Sequence, residues 1–256
     1  MITILLFLSI LPVVVLMLFI YRQDKYQREP VKSLMKAFIG GMIAIPLDLL
    51  LVSLLNMVWY SDTVFYSAFL EAGIPEEFSK FLIFMIFIWR DKNFDEYMDG
   101  IVYATFIGLG FACVENIMYV FSAASESYMS GIGTGIVRAL LSVPGHFLFG
   151  VVLGYFLSLA KFSKTKKQRW TFIISGWLLA ATCHGLFDWM LMASDALGEM
   201  YGTILSVAFL VGDFFLWKIG VKYIRRHQVN SCVQAIDSIF HDTKPTDWNA
   251  GFKKNV

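Results

Sequence analysis

Glu76, Glu77 and Lys80 stand together in the run AGIPEEFSKFLIF. On a helix, Glu76 and Lys80 are i,i+4 and Glu77 and Lys80 are i,i+3, so either carboxylate can pair with the lysine. Two carboxylates against one cation leave an excess negative charge in a very apolar stretch. Pro75, just before the pair, removes a backbone donor and loosens the helix there. Glu115 and Asn116 follow in FACVENIMY, with Phe111 one turn before Glu115. No lysine or arginine in that segment can pair with Glu115. Arg138, Ser142 and His146 come at successive i,i+4 steps, interrupted by Pro144 and Gly145. His184 and Asp188 are again i,i+4, which lets the carboxylate hold the imidazole in one tautomer.

These residue types suit peptide-bond hydrolysis. That reaction needs an activated water, a stabiliser for the oxyanion and a proton donor for the leaving amine. Adjacent carboxylates in a low-dielectric site can divide the roles of acid and base. A histidine held by Asp188 can donate toward a tetrahedral oxyanion. Histidine and carboxylate are also zinc ligands, so the set admits a metal. The HExxH signature is absent, and no Ser-His-Asp or Cys-His pairing stands out. A plainer reading is a self-neutralised charge cluster that holds helices together. Two histidines and three carboxylates on four segments weigh toward chemistry.

The elements that must position these residues are membrane spans. In 256 residues, 57% are hydrophobic and 16% charged, and the mean hydropathy is +0.64. Soluble domains carry about 25% charge, which excludes a disordered chain and an ordinary soluble globule. A net charge of +1 and three cysteines point to neither nucleic acid nor a disulfide framework. Stretches of about 20 apolar residues predict an all-α, polytopic bundle of seven spans. They run approximately over 2–21, 34–59, 63–89, 101–124, 135–160, 170–193 and 201–223. The first lacks a basic leader and a cleavage pattern, so it reads as a span rather than a signal peptide. A membrane domain over 1–223 and a cytoplasmic tail over 224–256 follow. Within that tail, Val233, Ile236 and Phe240 have the spacing of a surface helix, and a solvated tail is the alternative.

Lysine and arginine fall in loops 22–32, 90–100 and 161–169 and in the tail, including Lys244, Lys253 and Lys254. The alternate loops near 60–62, 125–134 and 194–200 carry none. The bias predicts an outside N-terminus and a cytoplasmic C-terminus. Glu76 then lies mid-span, and Glu115, His146 and His184 lie between the middle and the outer surface, so four helices can aim them into one outward-facing cavity. Asp48 and Asp213 are single carboxylates without a companion motif and rank below the set. Cys113 and Cys183 read as packing residues, Gly108, Gly110 and Ala112 as close helix contacts, and Gly131, Gly133 and Gly135 as an outer loop.

In order and on successive spans, Glu76-Glu77-x-x-Lys80, Phe111-x-x-x-Glu115-Asn116, His146 and His184-x-x-x-Asp188 resemble the PrsW family of membrane-embedded proteases. That family sits within the CAAX prenyl protease and bacteriocin-processing superfamily. The resemblance covers spans three to six. It implies a multi-pass protein of the bacterial cytoplasmic membrane that makes the first, extracytoplasmic cut in a membrane-anchored anti-sigma factor. That cut starts the regulated proteolysis that releases a sigma factor. It further implies Glu76 and Glu77 as the catalytic pair, with Glu76 activating water, and Glu115, His146 and His184 as further catalytic residues. Lys80, Phe111, Asn116 and Asp188 support them. The superfamily's prenyl-protein proteases carry a histidine where this chain has Glu115. Metal-free glutamate catalysis is the favoured mechanism, and a divalent metal such as zinc is the alternative. An ion- or proton-coupled transporter and a non-catalytic membrane scaffold are the rival functional classes.

Overall fold

The computed structural model describes residues 2–242, with side chains through residue 237. Phe240's side chain and Lys244, Lys253 and Lys254 lie outside those residues. The described chain is helical: α1 (Ile2–Gln23), α2 (Val31–Val58), α3 (Val64–Tyr66), a π segment (Ser67–Gly73), α4 (Ile74–Phe87), α5 (Tyr97–Glu126), α6 (Tyr128–Leu140), α7 (Ser142–Lys161), α8 (Lys166–Ala196) and α9 (Gly198–Asp242). Six stretches are long and apolar enough to cross a membrane: Ile2–Gln23, Val31–Val58, Tyr97–Glu126, Tyr128–Lys161, Lys166–Ala196 and Gly198–Asp237. The protein is a multi-pass, all-α membrane protein. The remaining predicted span is divided among α3, the π segment and α4. Helix α9 continues past residue 223 and includes Val233 and Ile236.

Helix α5 is the axis of the bundle, with every residue from Met98 to Cys113 buried. Its glycines let neighbours approach backbone to backbone. A Cβ on Gly110 would lie 2.0 Å from the Phe38 carbonyl oxygen of α2, and one on Gly108 would lie 2.9 Å from that of His146 in α7. Small residues are the usual means of close helix packing within a bilayer. Exposed side chains such as Phe7, Val15, Leu50, Leu54 and Phe214 form the lipid-facing surface.

The basic loops share one end. There Gln27 Nε2 donates to Asp95 at 3.1 Å, Lys161 Nζ to the Trp89 carbonyl at 2.7 Å and Gln228 Nε2 to the Gln23 carbonyl at 2.7 Å. Four carboxylates, Asp24, Glu29, Glu96 and Asp99, are buried among them. Asp99 Oδ2 accepts from the Glu96 backbone N–H at 2.7 Å in a capping box that starts α5. Asp24 Oδ2 accepts from the Glu29 backbone N–H at 3.1 Å, and the Tyr103 hydroxyl donates to Glu29. Burial, and then the neighbouring carboxylates, push Glu29 and Glu96 up to about 8.

Two local readings need correction. Gly131, Gly133 and Gly135 are not a loop but lie inside α6, whose N-cap Ser127 accepts from the Ser130 backbone N–H at 3.0 Å. Glycine there serves contact: a Cβ on Gly131 would come within 2.6 Å of Ala124 Cβ. The predicted span over 135–160 is also two helices meeting at Leu141. Pro144 accounts for the break, since its ring clashes with the carbonyl four residues earlier and it donates no hydrogen bond.

Candidate active site

The glutamate pair is placed by a change of helix type. The π segment runs directly into α4 at Ile74, and Pro75, in the first turn of α4, has no N–H to bond back into the π segment. Single π turns inside α-helices often mark functional positions. The segment is pressed onto α8: a Cβ on Gly73 would lie 2.7 Å from the Gly185 nitrogen, and one on Gly185 would lie 2.4 Å from the Phe69 ring. That contact brings His184, next to Gly185, against the pair.

Lys80 Nζ lies 3.1 Å from Glu76 Oε2, 2.8 Å from Glu77 Oε1 and 3.0 Å from His146 Nδ1. It also sits 4.0 Å from the centre of the Phe111 ring, a cation–π contact. An ammonium can only donate, so His146 Nδ1 accepts and its Nε2–H donates to Glu115 Oε2 at 2.8 Å. One tautomer of His146 follows from the geometry. Arg138, from α6, supplies the partner that Glu115 lacks on its own helix, at 2.8 Å. Arg138 Nε donates to Asn116 Oδ1 at 2.8 Å, and Asn116 Nδ2 donates to the Ser9 carbonyl at 2.9 Å. Asn116 thus holds the arginine rather than the reacting groups. His184 spans two acids, with Nδ1 3.0 Å from Glu77 Oε1 and Nε2 3.3 Å from Asp188 Oδ2. The two histidine rings meet edge to face, 5.1 Å between centres.

Every residue singled out in the sequence for this site therefore falls in one connected network, buried except at Glu115 and Asp188, which are half-buried. The two glutamates differ. Glu77 is 1% exposed, enclosed by Lys80 and His184. Glu76 lines a cavity of about 430 Å³ between α2, the π segment and α5, which Glu115 and Phe111 also face. Two groups that the sequence offered without a place at the site acquire one from tertiary contact. Arg138 was visible two turns before His146, but only tertiary contact pairs it with Glu115. Asp48, without a motif, lines the same cavity. Asp213 faces a separate space toward Cys183 and Phe209.

Donor atoms of Glu76, Glu77, His146 and His184 lie within 4.8 Å of one another, which among the described residues fits a metal of the zinc type by ligand chemistry. Cys113 and Cys183 are not in that group. The same donors already surround the Lys80 ammonium, which bonds to three of the four.

The model of the "PrsW family intramembrane metalloprotease" matches residues 29–216. The chain belongs to the PrsW family. Protease PrsW of Clostridioides difficile (strain 630) is 34% identical over 228 residues, 88% of this chain and 91% of its own. The Geobacillus kaustophilus protein of that name is 33% identical over 90% of this chain and 95% of its own. That of Bacillus subtilis (strain 168) is 32% identical over 85% and 93%. No solved structure matches the chain. Family membership makes this an intramembrane protease and brings the buried Glu/His network into the family's matched region.

Proposed function

We infer that Glu76 activates water for endopeptidase cleavage in the cavity it lines. The observation that carries this reading is the division of the pair: Glu76 borders the cavity, whereas Glu77 is enclosed. Glu76 takes a proton from a water as the hydroxyl adds to the substrate carbonyl carbon. The same proton passes to the leaving amine as the C–N bond breaks, which regenerates the carboxylate. His184, its Nδ1 3.9 Å from Glu76 Oε2 and its ring held by Glu77 and Asp188, donates to the oxyanion, while the nearer Lys80 ammonium stays with the glutamates. Lys80 offsets the charge of the pair, and His146 with Glu115 and Arg138 fixes the far wall.

The family's description as metalloproteases, with the donor cluster, favours a second reading of the catalytic type. Glu76, Glu77, His146 and His184 would hold the ion, which supplies Lewis-acid polarisation of the carbonyl when bound. Lys80 would then have to leave its position among those donors.

The substrate is a membrane-anchored anti-sigma factor, cut on its extracytoplasmic side as the first step of regulated proteolysis. With the basic-loop end in the cytoplasm, the cavity lies toward the outer half, since its walls come from the ends of α2 and α5 remote from the basic loops. The test is cleavage of such a substrate by the purified full chain in detergent, with and without chelator, beside metal analysis of the wild type and of Lys80→Met. Glu76→Gln and His184→Ala should insert at normal abundance and lose about 10²–10⁴-fold in rate. Near-wild-type cleavage by Glu76→Gln rejects its role. Loss on chelation, restored by zinc, rejects the metal-free mechanism.

A further inference from the structure

Four carboxylates line the cavity, Asp48, Glu71, Glu76 and Glu115; among the described residues no lysine, arginine or histidine does. Three have partners within the protein. Lys80 binds Glu76, Arg138 and His146 bind Glu115, and Glu71 accepts from Asn56 Nδ2 and Ser67 Oγ, each at 2.9 Å. Asp48 makes no hydrogen bond or ion pair among the described residues. It is 7% exposed, and its Oδ1 is buried without a partner. The Glu71 donors are neutral, so no ion pair holds it.

A carboxylate buried without a partner is strongly unfavourable, and a cation brought to it removes the penalty. Besides the carboxylates, the lining is mainly apolar, with Ile45, Leu49 and Val52 on the helix of Asp48 and Phe111 and Met118 on α5; the neutral Ser67, Tyr119 and Ser122 add hydroxyls. An acid among apolar lining residues matches a side chain with a hydrocarbon stem and a cationic head. We propose that this cavity binds a lysine or arginine side chain of the peptide substrate, with Asp48 as the residue that selects it. Glu71 adds negative potential on the opposite wall. Because Glu76 lines the same cavity, the basic residue sits close to the scissile bond. The proposal rests on the protease reading, and Asp48 is a specificity residue within it, outside the proton transfers.

The experiment uses the purified full chain in detergent and one membrane-anchored substrate whose cleavage site has been mapped by mass spectrometry. Residues flanking that site are set in turn to Lys, Met or Glu; Met matches the length of lysine without its charge. At one position kcat/KM should favour Lys over Met by about tenfold or more, chiefly through KM, as expected for binding shared by ground and transition states. In Asp48→Asn that ratio should fall toward one, and in Asp48→Lys the preference should turn toward Glu. A ratio of this kind is independent of how much enzyme is active, so partial misfolding of a variant does not imitate the result. Equal cleavage of all three substrates, or an undiminished lysine preference in Asp48→Asn, overturns the proposal and leaves the protease reading standing. Should nothing be cleaved, the protease reading fails. Photocrosslinking of the Lys and Met peptides to Glu76→Gln then decides the binding preference without turnover: stronger capture of Lys that Asp48→Asn abolishes supports it, and equal capture refutes it.

Discussion

Lys80 contacts three ionisable side chains and one aromatic face, and only its two glutamate contacts lie on its own helix. Breaking a buried ion pair by removing one member leaves the other charge uncompensated, at a cost of about 3–5 kcal/mol. Lys80→Met should therefore lose about that much stability, measured by unfolding of the detergent-solubilised protein. Adding Glu77→Gln removes the orphaned charge and should recover a good part of the loss, a coupling that a double-mutant cycle reads directly. Additive losses would mean that the two side chains do not depend on each other. The i,i+3 and i,i+4 steps made both glutamate contacts legible in the sequence. The contact with His146 was not, because 66 residues separate the two and only the tertiary meeting of α4 with α7 joins them.

At the scale of elements, the site depends on how closely the π segment lies on α8. Gly185→Ala would place a methyl 2.4 Å from the Phe69 ring, with two more ring atoms within 2.8 Å. Overpacking of this kind costs about 1–3 kcal/mol, and the shift separates His184 from Glu77. We expect a lower melting temperature and a loss of cleavage in the same variant. Gly133→Ala is the contrasting change. Nothing lies within 4 Å of its added Cβ, and alanine is the better helix former by about 0.8–1.0 kcal/mol. It should leave cleavage in place and raise stability slightly; a destabilised Gly133→Ala would show that α6 packs more tightly than described. The sequence placed Pro75 and Pro144 at points where a helix yields. It did not reveal that Pro75 follows a π turn, because that choice depends on what Gly73 must touch.

Across the whole molecule, the two ends differ in charge and in burial. A reporter fused after Lys167 should read cytoplasmic and one at the Ser127 corner external; reversed signals would turn the cavity to the other face. The acidic cluster at the basic-loop end makes a second molecular prediction. Folded, Glu29 and Glu96 hold their protons up to about 8, whereas unfolded they release them near the ordinary 4.5. Between those values the folded state binds more protons, so stability falls as pH rises and levels off above about 8. Asp24, Asp95, Asp99 and Tyr103 face these groups, and Arg28 adds a positive charge near Asp24. The melting temperature in detergent should be lower at pH 9 than at pH 6. Glu29→Gln combined with Glu96→Gln should flatten that slope, and an unchanged slope would show that these carboxyls are already ionised at pH 6.

The apolar stretches and the intramembrane charges follow from the sequence alone. A bilayer imposes a length of about 20 apolar residues and a steep penalty on stray charge, so both leave local marks. The order of the Glu, Glu/Asn, His and His/Asp motifs sufficed for the family resemblance before any contact was known. What tertiary structure decided was pairing and access. Arg138 reaches Glu115 because a proline breaks the helix that carries it. Glu76 faces the cavity while Glu77 is enclosed, although the two are adjacent and chemically identical, because successive helical residues point about 100° apart. Asp48, one apolar helix away with no motif around it, enters the cavity through the close approach of α2 to α5 at Gly41 and Gly110. Such contacts lie tens of residues apart in the chain, and no local pattern of residue types encodes them.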